Sequence, residues 1–206
     1  MLKILSKSII DLYSSNANKE KVMKKVTLLG DSIRQIGYGA KVAEMLAGEY
    51  EVFQPDDNCR FAKYTLRMVF DLKAQIEGSD VIHWNNGHWD LCQIFDDKKT
   101  FSSIDEYVEN MLRIAVELKK LGKRVIFATT TPVHFEHPYN DNAIIKQFND
   151  AIVPKLVEMG VEINDLNATV SQDIYRYICE DQIHLTEEGI DLCARQVVNA
   201  IKGVKA

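Results

Sequence analysis

The sequence of 206 residues lacks several features that would each fix a class of protein. No apolar run approaches the roughly 20 residues that a helix needs to cross a bilayer. There is also no excess of basic residues, because the formal net charge is −5. A nucleic-acid-binding protein would be expected to carry a basic face. The composition therefore predicts a protein without a membrane span and without nucleic acid as a partner, and the length suits one well-buried domain.

Cysteines are few and irregularly spaced. The four residues, Cys59, Cys92, Cys179 and Cys193, form neither a CxxC pair nor a zinc-like spacing. This pattern is typical of reduced thiols and not of a disulfide framework. We therefore expect a cytoplasmic protein.

Motifs for phosphate and metal binding are missing as well. Residues 37–39 (Gly-Tyr-Gly) are only a fragment of a glycine motif, and no G-x-G-x-x-G or Walker lysine follows a strand. His134 and His137 have an i,i+3 spacing without a matching carboxylate or cysteine cluster. We expect this pair to line a pocket or face solvent, and we predict no metal site. His83 lies within a predicted strand, where a hydrogen-bonded core histidine is expected.

The amino-terminal segment differs in character from the rest. Lys3 and Lys7 interrupt its apolar residues, and no Ala-x-Ala-like cleavage site follows, so the segment does not resemble a secretory signal. We predict that residues 1–22 form a helical extension that packs on the domain, with a membrane surface as the alternative. Residues 23–206 are then predicted to form the functional domain.

Five short apolar runs alternate with helical patterns, and this alternation predicts an α/β fold. A parallel sheet with helices on both faces follows from it, as a doubly wound, flavodoxin-like domain with five strands in the order 2-1-3-4-5. The predicted strands are residues 26–29, 49–54, 81–84, 123–128 and 161–166. The predicted helices are residues 34–47, 61–77, 104–121, 142–159 and 186–201.

The first predicted strand ends abruptly in Gly30, Asp31 and Ser32. Open α/β sheets place their ligand sites at the carboxyl ends of the strands, so a serine here is presented to solvent. Taken alone, the segment favours a helix cap over a nucleophile, because Asp and Ser are both good caps. Asp181 and His184 lie three residues apart just before the last helix. An acid and a histidine so placed can both point at one site, and together with the serine they suit acyl transfer.

These segments resemble the sequence blocks of the SGNH, or GDSL-type, esterases and acyl hydrolases, and the resemblance runs from Val26 to the last helix. Residues 30–32 match the first block and residues 181–184 (Asp-Gln-Ile-His) match the fifth. The resemblance implies that Ser32 is the nucleophile, that His184 is the base and that Asp181 orients it. It also implies a covalent acyl-enzyme that water hydrolyses, without a metal or an organic cofactor.

The middle blocks depart from the family pattern. Residues 87–90 (Gly-His-Trp-Asp) fall on the third block, and Trp89 stands where the family's oxyanion asparagine is usual. We expect Asn85 to supply the missing amide, with Asn86 or Trp89 as alternatives. In the second block no glycine is present, and a backbone N–H near Arg60 or the side chain of Asn58 would be the donor. Both asparagines could instead simply form turns.

The predicted activity is a serine esterase that removes a small acyl group, most simply acetyl, from a carbohydrate. Lysophospholipase and thioesterase activities of the same family are alternatives, as is a binding protein that has lost its activity through the altered third block.

A phosphoryl-receiver domain would need an acidic cluster after the first strand, and Asp31 alone does not provide it. The expected partner is a small-molecule ester, which Arg34 and Arg60 could hold if it is anionic, unless they form salt bridges. The sequence is also compatible with a homo-oligomer.

Overall fold

The computed structural model describes residues 23–204, and its centre is a parallel sheet of five strands. The predicted helical extension of residues 1–22 lies outside the described residues. The strand order is β2-β1-β3-β4-β5, which confirms the predicted doubly wound topology. Every neighbouring pair of strands is parallel. The strands are β1 (Lys24–Leu29), β2 (Tyr50–Phe53), β3 (Ser79–Asn85), β4 (Gly122–Ala128) and β5 (Glu162–Asn164).

Ten helical segments connect and cover these strands within the described chain. They are α1 (Ile33–Tyr38), α2 (Gly39–Leu46), α3 (Ala62–Asp71), α4 (Lys73–Ile76), α5 (His88–Leu91), α6 (Ile104–Leu121), α7 (Asn142–Glu158), α8 (Leu166–Val170), α9 (Ile174–Tyr177) and α10 (Glu187–Lys202). None of the helices in residues 23–204 is long and apolar enough to cross a membrane.

Side chains of alternating direction along the strands build two cores, one on each face of the sheet. In β1, Leu29 packs with the layer of α3, α6 and α7, whereas Val26 and Leu28 pack with α2 and α10. In β3, Trp84 belongs to the first core and Val81 to the second. All of these side chains are buried, which explains why the strands read as continuous apolar runs.

The main helices agree with the helical patterns of the sequence, but two of them are interrupted. The helix predicted over residues 34–47 begins as the π-helical segment α1, in which Gly37 leaves the helical region (φ −101°, ψ −117°). The helix predicted over residues 61–77 breaks at Leu72, between α3 and α4. In contrast, α7 continues through Pro154. The short helices α5, α8 and α9 were not predicted, since four or five residues carry too little periodicity.

The topology brings the ends of β1 and β3 together with the loop before α10. Strands β1 and β3 are direct neighbours, with Leu29 opposite Trp84 near their carboxyl ends. The loop that precedes α10 ends at Thr186, whose side chain accepts a hydrogen bond from the Gly189 N–H and so caps the helix. Residues far apart in sequence therefore meet at the carboxyl edge of the sheet.

Candidate active site

Ser32 lies on the tight turn between β1 and α1, and this turn depends on its neighbours. A Cβ atom on Gly30 would lie 1.9 Å from Asn85 Oδ1, so a side chain at this position is excluded. The buried carboxylate of Asp31 accepts a hydrogen bond from the Ile33 N–H at 3.0 Å. Ser32 itself comes just before the first helical turn, where backbone N–H groups have no intrahelical partner. Its side chain makes no capping hydrogen bond to that helix, so the alternative of a simple cap is not supported.

His184 lies between Ser32 and Asp181. Its Nε2 atom is 2.9 Å from Ser32 Oγ, and its Nδ1 atom is 2.6 Å from Asp181 Oδ2. Because the Asp181 carboxylate accepts a hydrogen bond from Nδ1–H, the ring proton stays on Nδ1. The other nitrogen, Nε2, can then accept a hydrogen bond from the serine hydroxyl. The structure thus brings together three of the side chains that the sequence singled out, across 152 residues of chain between Ser32 and His184.

The loop that carries Asp181 and His184 is held by its own hydrogen bonds. Asp181 Oδ1 accepts from the N–H groups of Ile183 (3.1 Å) and His184 (3.0 Å). Partial burial alone would raise the pKa of Asp181, but the hydrogen bonds from the backbone and ring of His184 outweigh it and hold that pKa below its usual value. The His184 carbonyl in turn accepts from the Cys179 N–H at 2.7 Å. The acid is therefore ionised and fixed in place at neutral pH.

Asn85, expected as an oxyanion donor, occupies a different place. Its side-chain amide donates to Asp31 Oδ1 at 2.7 Å, and its carbonyl accepts from the Tyr38 hydroxyl at 2.9 Å. All three residues are buried. The expectation for Asn85 therefore needs correction, because the amide faces Asp31 behind the turn and not the cavity in front of Ser32. The side-chain amide of the alternative, Asn86, is also occupied, because it donates to the Arg60 carbonyl and to Thr65 Oγ1.

Asn58, the second expected donor, forms a turn. Its Oδ1 atom accepts from the Arg60 N–H at 2.7 Å, so this backbone N–H is also occupied. Arg60 has φ 49°, in the left-handed region that favours glycine, which is the residue usual in the family's second block. The Arg60 N–H is occupied, and Asn58, whose side-chain oxygen forms this turn, does not line the cavity in front of Ser32.

A cavity of about 410 Å³ opens in front of Ser32 and His184. One wall contains a hydrogen-bonded group that the sequence did not predict. Asn140 Nδ2 donates to His88 Nδ1 at 3.1 Å and to the His88 carbonyl at 3.2 Å. His88 Nε2 lies 3.0 Å from Thr131 Oγ1. Burial lowers the pKa of His88 to about 3, so the ring is neutral, with its proton on Nε2 and directed at Thr131.

Comparison with known proteins finds relatives among esterases. The chain is 27% identical over 201 residues to the GDSL esterase/lipase CPRD49 of Arabidopsis thaliana, which covers 86% of this chain and 78% of the relative. The GDSL esterase/lipase WDL1 of Oryza sativa subsp. japonica is 26% identical, and the alignment covers 85% of this chain and 76% of WDL1. No family model matches the chain.

Among solved structures, the lipase/acylhydrolase from Enterococcus faecalis superimposes with a TM-score of 0.72 at 20% identity, covering 88% of this chain and 96% of the other. The chain is therefore similar to the SGNH, or GDSL-type, hydrolases in sequence and in fold. This similarity supports a carboxylic ester hydrolase.

The two arginines near the site, Arg34 and Arg60, do not line the cavity. Arg34 is buried and donates to the carbonyl groups of Pro55, Gly30 and Asp57, so it fastens the turn after β1 to the segment after β2. Arg60 forms an ion pair with Asp57 at 3.7 Å and lies over the ring of Tyr64. Of the two expected roles, a salt bridge applies to Arg60, and Arg34 has neither.

Of the remaining histidines, His83 and His137 have the structural roles that the sequence indicated, whereas His134 neither lines this cavity nor is fully exposed. His83 is a buried core residue whose Nε2 accepts from Asn164 at 3.1 Å, and burial lowers its pKa to about 3. His137 lines the cavity, which confirms one of the two expectations for it. His134 Nε2 contacts the Ile178 carbonyl at 3.2 Å. Within residues 23–204, no group of three or more His, Cys, Asp or Glu side chains could hold a metal ion.

Asn140 is the polar cavity residue that sequence reasoning missed. It lies in the long connection between β4 and α7, and no motif marks it. The only signal in the sequence is the length of this connection, since long loops at the carboxyl ends of strands often carry functional groups. Its position depends on loop folding, through the hydrogen bond from its own N–H to His137 Nδ1 at 2.9 Å.

Proposed function

We propose that this hydrolase is a serine esterase in which Ser32, His184 and Asp181 act as a catalytic triad. The observation that carries the proposal is the pair of contacts at His184, 2.9 Å to Ser32 Oγ and 2.6 Å to Asp181 Oδ2. His184 Nε2 takes the hydroxyl proton as Ser32 Oγ attacks the ester carbonyl carbon. Asp181 keeps the proton of the neutral ring on Nδ1 and stabilises the imidazolium that forms.

The rest of the reaction follows from this proton transfer. The tetrahedral intermediate collapses with cleavage of the bond to the alcohol oxygen, and His184 returns the proton to that oxygen. The acyl group is then bound to Ser32 Oγ as an ester. Water, deprotonated by His184, attacks the acyl carbon, and the proton returns to Oγ as the carboxylic acid leaves.

The oxyanion needs donors on the cavity side of Ser32. The backbone N–H of Ser32 is one, because it lies ahead of the first helical turn. Two side-chain amides line the cavity, those of Gln35 and Asn140. Gln35 Nε2 donates to the Asp56 carbonyl, away from the cavity. We therefore propose Asn140 as the second donor. Both hydrogen bonds of its amide go to His88, so one of them must be exchanged for the bond to the oxyanion as that charge forms. Each such donor contributes about 10²–10³ in turnover.

The substrate that we propose is an acetyl ester on a carbohydrate. Its support is the fold, which is shared with an acetylxylan esterase from Geobacillus stearothermophilus, Axe2. A catalytic mutant of Axe2 superimposes with a TM-score of 0.72 at 20% identity over 86% of this chain and 94% of that chain. The cavity adds to this support, since none of the described residues that line it is Asp, Glu, Lys or Arg. A neutral ester therefore fits better than an anionic one.

We place this activity in the cytoplasm. The support is that all four cysteines are free thiols, as expected for a reducing compartment.

The proposal is tested by hydrolysis of p-nitrophenyl acetate, butyrate and octanoate by the wild type and by Ser32→Ala. We expect turnover to be fastest with acetate and to be lost in Ser32→Ala. The exposed Ser171, outside the cavity, provides the matched control variant Ser171→Ala, which should keep wild-type rates. A fluorophosphonate should label the wild type and Ser171→Ala but not Ser32→Ala. Turnover that survives in Ser32→Ala would refute the nucleophile, and absence of turnover and labelling in the wild type would favour a binding protein.

A further inference from the structure

Trp89 has an unusual position within α5. Its three helix neighbours His88, Asp90 and Leu91 are buried, whereas the Trp89 side chain is 42% exposed. It also lines the cavity that contains Ser32 and His184. The family places an oxyanion asparagine at this position, so the substitution brings a large apolar ring to the substrate side of the nucleophile.

Trp89 is part of a larger exposed apolar surface around the same cavity. Ile36, Ile94 and Tyr139 also line it and are 63%, 47% and 50% exposed. Single exposed apolar residues are normal, but several on one cavity next to a nucleophile indicate a binding surface. This surface is continuous with Ser32, so the ester substrate is its natural occupant.

Tyr139 is held in its place by His137. The Nδ1 atom of His137 accepts hydrogen bonds from the N–H groups of Tyr139 (3.3 Å) and Asn140 (2.9 Å). The two rings meet edge to face, with centroids 6.1 Å apart and an angle of 76°. Burial lowers the pKa of His137, which keeps the ring neutral and able to accept. These hydrogen bonds hold the backbone at Tyr139, and the contact with the His137 ring places the second aromatic ring of the cavity.

The polar groups of the cavity offer a ligand few contacts. The side chains of Gln35, His88 and Asn140 are already bonded to other protein groups. No carboxylate, ammonium or guanidinium group belongs to a described residue of the lining. A charged ligand would therefore find no counter-ion, and binding must come mainly from contact with ring and aliphatic surfaces.

We propose that Trp89 and Tyr139 form a stacking platform for the neutral sugar ring that carries the ester, an inference that rests on the proposed function. One face of a pyranose is lined by C–H groups and packs well on an aromatic ring, while its hydroxyl groups at the edge stay in water. Half-exposed rings suit such a ligand. A long acyl chain would gain most from complete enclosure, which this surface does not provide.

A fluorescence titration tests the platform independently of catalysis. The protein has two tryptophans, and Trp84 is fully buried against Phe127, so Trp89 is the one that a cavity ligand can contact. We expect xylotriose to change the emission of the wild type and to protect it from acrylamide quenching. Trp89→Phe should lose this change, and trigalacturonic acid should produce none. A response to 1-octanol without one to xylotriose would overturn the inference in favour of an acyl-chain wall.

Kinetics with two acetate esters then separate sugar binding from chemistry. For Trp89→Ala we expect the KM for acetylated xylotriose to rise about tenfold, the loss typical of one aromatic contact, and the KM for ethyl acetate to rise much less. Trp89→Phe should recover most of the loss. Phe70→Ala is the control, because Phe70 is 72% exposed on α3 and does not line the cavity.

The two proposals fail in different ways. Turnover that persists in Ser32→Ala refutes the proposed triad, whatever Trp89 does. If Ser32→Ala is inactive but Trp89→Ala lowers kcat equally for both esters, the ring acts on the chemistry and the stacking platform is refuted. An unchanged KM for acetylated xylotriose in Trp89→Ala refutes it as well.

Discussion

The side-chain amide of Asn85 donates to Asp31 Oδ1 at 2.7 Å and so fastens the end of β3 to the turn that presents Ser32. The Tyr38 hydroxyl completes this group with a bond of 2.9 Å to Asn85 Oδ1. All three side chains are buried, and the Tyr38 hydroxyl depends on Asn85 for its hydrogen bond. The group lies behind the nucleophile turn and supports it.

Removal of the Asn85 amide should therefore cost stability. We expect Asn85→Ala to lower the free energy of unfolding by about 1–3 kcal/mol, since it leaves the buried Tyr38 hydroxyl without a partner and removes one of the two hydrogen bonds to Asp31 Oδ1. Urea denaturation measures the change. The exposed Asn199 of α10 provides the control Asn199→Ala, which should remain within about 0.5 kcal/mol of the wild type. Unchanged stability together with a large loss of kcat would instead restore Asn85 as an oxyanion donor.

The stability of the protein should depend on pH through Asp90. Burial raises the pKa of this carboxyl from its usual 3.8 to about 7 in the folded protein, against hydrogen bonds from Ser102 Oγ and the Ala62 N–H. The folded state therefore holds a proton that the unfolded chain releases. Its contribution to stability is fully present below pH 3.8 and is lost as the pH rises through about 7.

Asp90→Asn isolates this contribution, because its oxygen can still accept from the Ala62 N–H and its uncharged amide can donate to Ser102 Oγ. We expect the free energy of unfolding of the wild type, relative to Asp90→Asn, to fall by a few kcal/mol between pH 4 and pH 7. Denaturation of both proteins across this range measures the difference. A constant difference over the whole range would show that Asp90 does not retain the proton.

Asp181→Asn should leave the fold intact but remove most of the activity. An amide at this position can donate to His184 Nδ1, which places the ring proton on Nε2 and prevents it from accepting the Ser32 proton. We expect kcat to fall by about 10²–10⁴-fold, with little change in the melting temperature. The exposed Asp150, which pairs with Lys146 on α7, provides the control Asp150→Asn with wild-type kcat. Equal activity in the two variants would remove Asp181 from the triad.

The sequence predicts those parts of the hydrolase that depend on local pattern. The order of the five strands follows from the alternation of apolar runs and helices, and the structure confirms it. Ser32, Asp181 and His184 could be singled out because each lies next to a helix start or strand end with a recognisable motif. Their mutual contact then follows from the topology, which places both segments at one edge of the sheet.

The oxyanion side of the site could not be predicted in the same way. Asn85 has the expected residue type in the expected loop, but its partner Asp31 lies 54 residues away and is set by tertiary packing. Asn58 forms the local turn that the sequence offered as its alternative. Conversely, Asn140 reaches the cavity through the fold of a long connection that has no periodicity and no motif. Side-chain direction within loops is the information that a single sequence does not contain.

Asn140→Ala tests whether this side chain replaces the missing family asparagine. If its amide binds the oxyanion, kcat should fall by about 10²–10³-fold while KM changes little, because the oxyanion exists only in the transition state and its intermediate. Asn58→Ala is the informative comparison: Asn58 accepts the Arg60 N–H, so its loss should reduce stability and leave kcat within a few fold. Asn140→Asp should be as slow as Asn140→Ala, since a carboxylate repels the developing charge.

Because His88 also bonds to Asn140, Thr131→Val serves to separate oxyanion binding by Asn140 from support of the cavity wall. It removes the hydrogen-bond partner of the His88 ring but leaves the amide. If Thr131→Val lowers kcat as much as Asn140→Ala, the amide acts only by supporting the cavity wall, and the second oxyanion donor must be sought at the Trp89 indole.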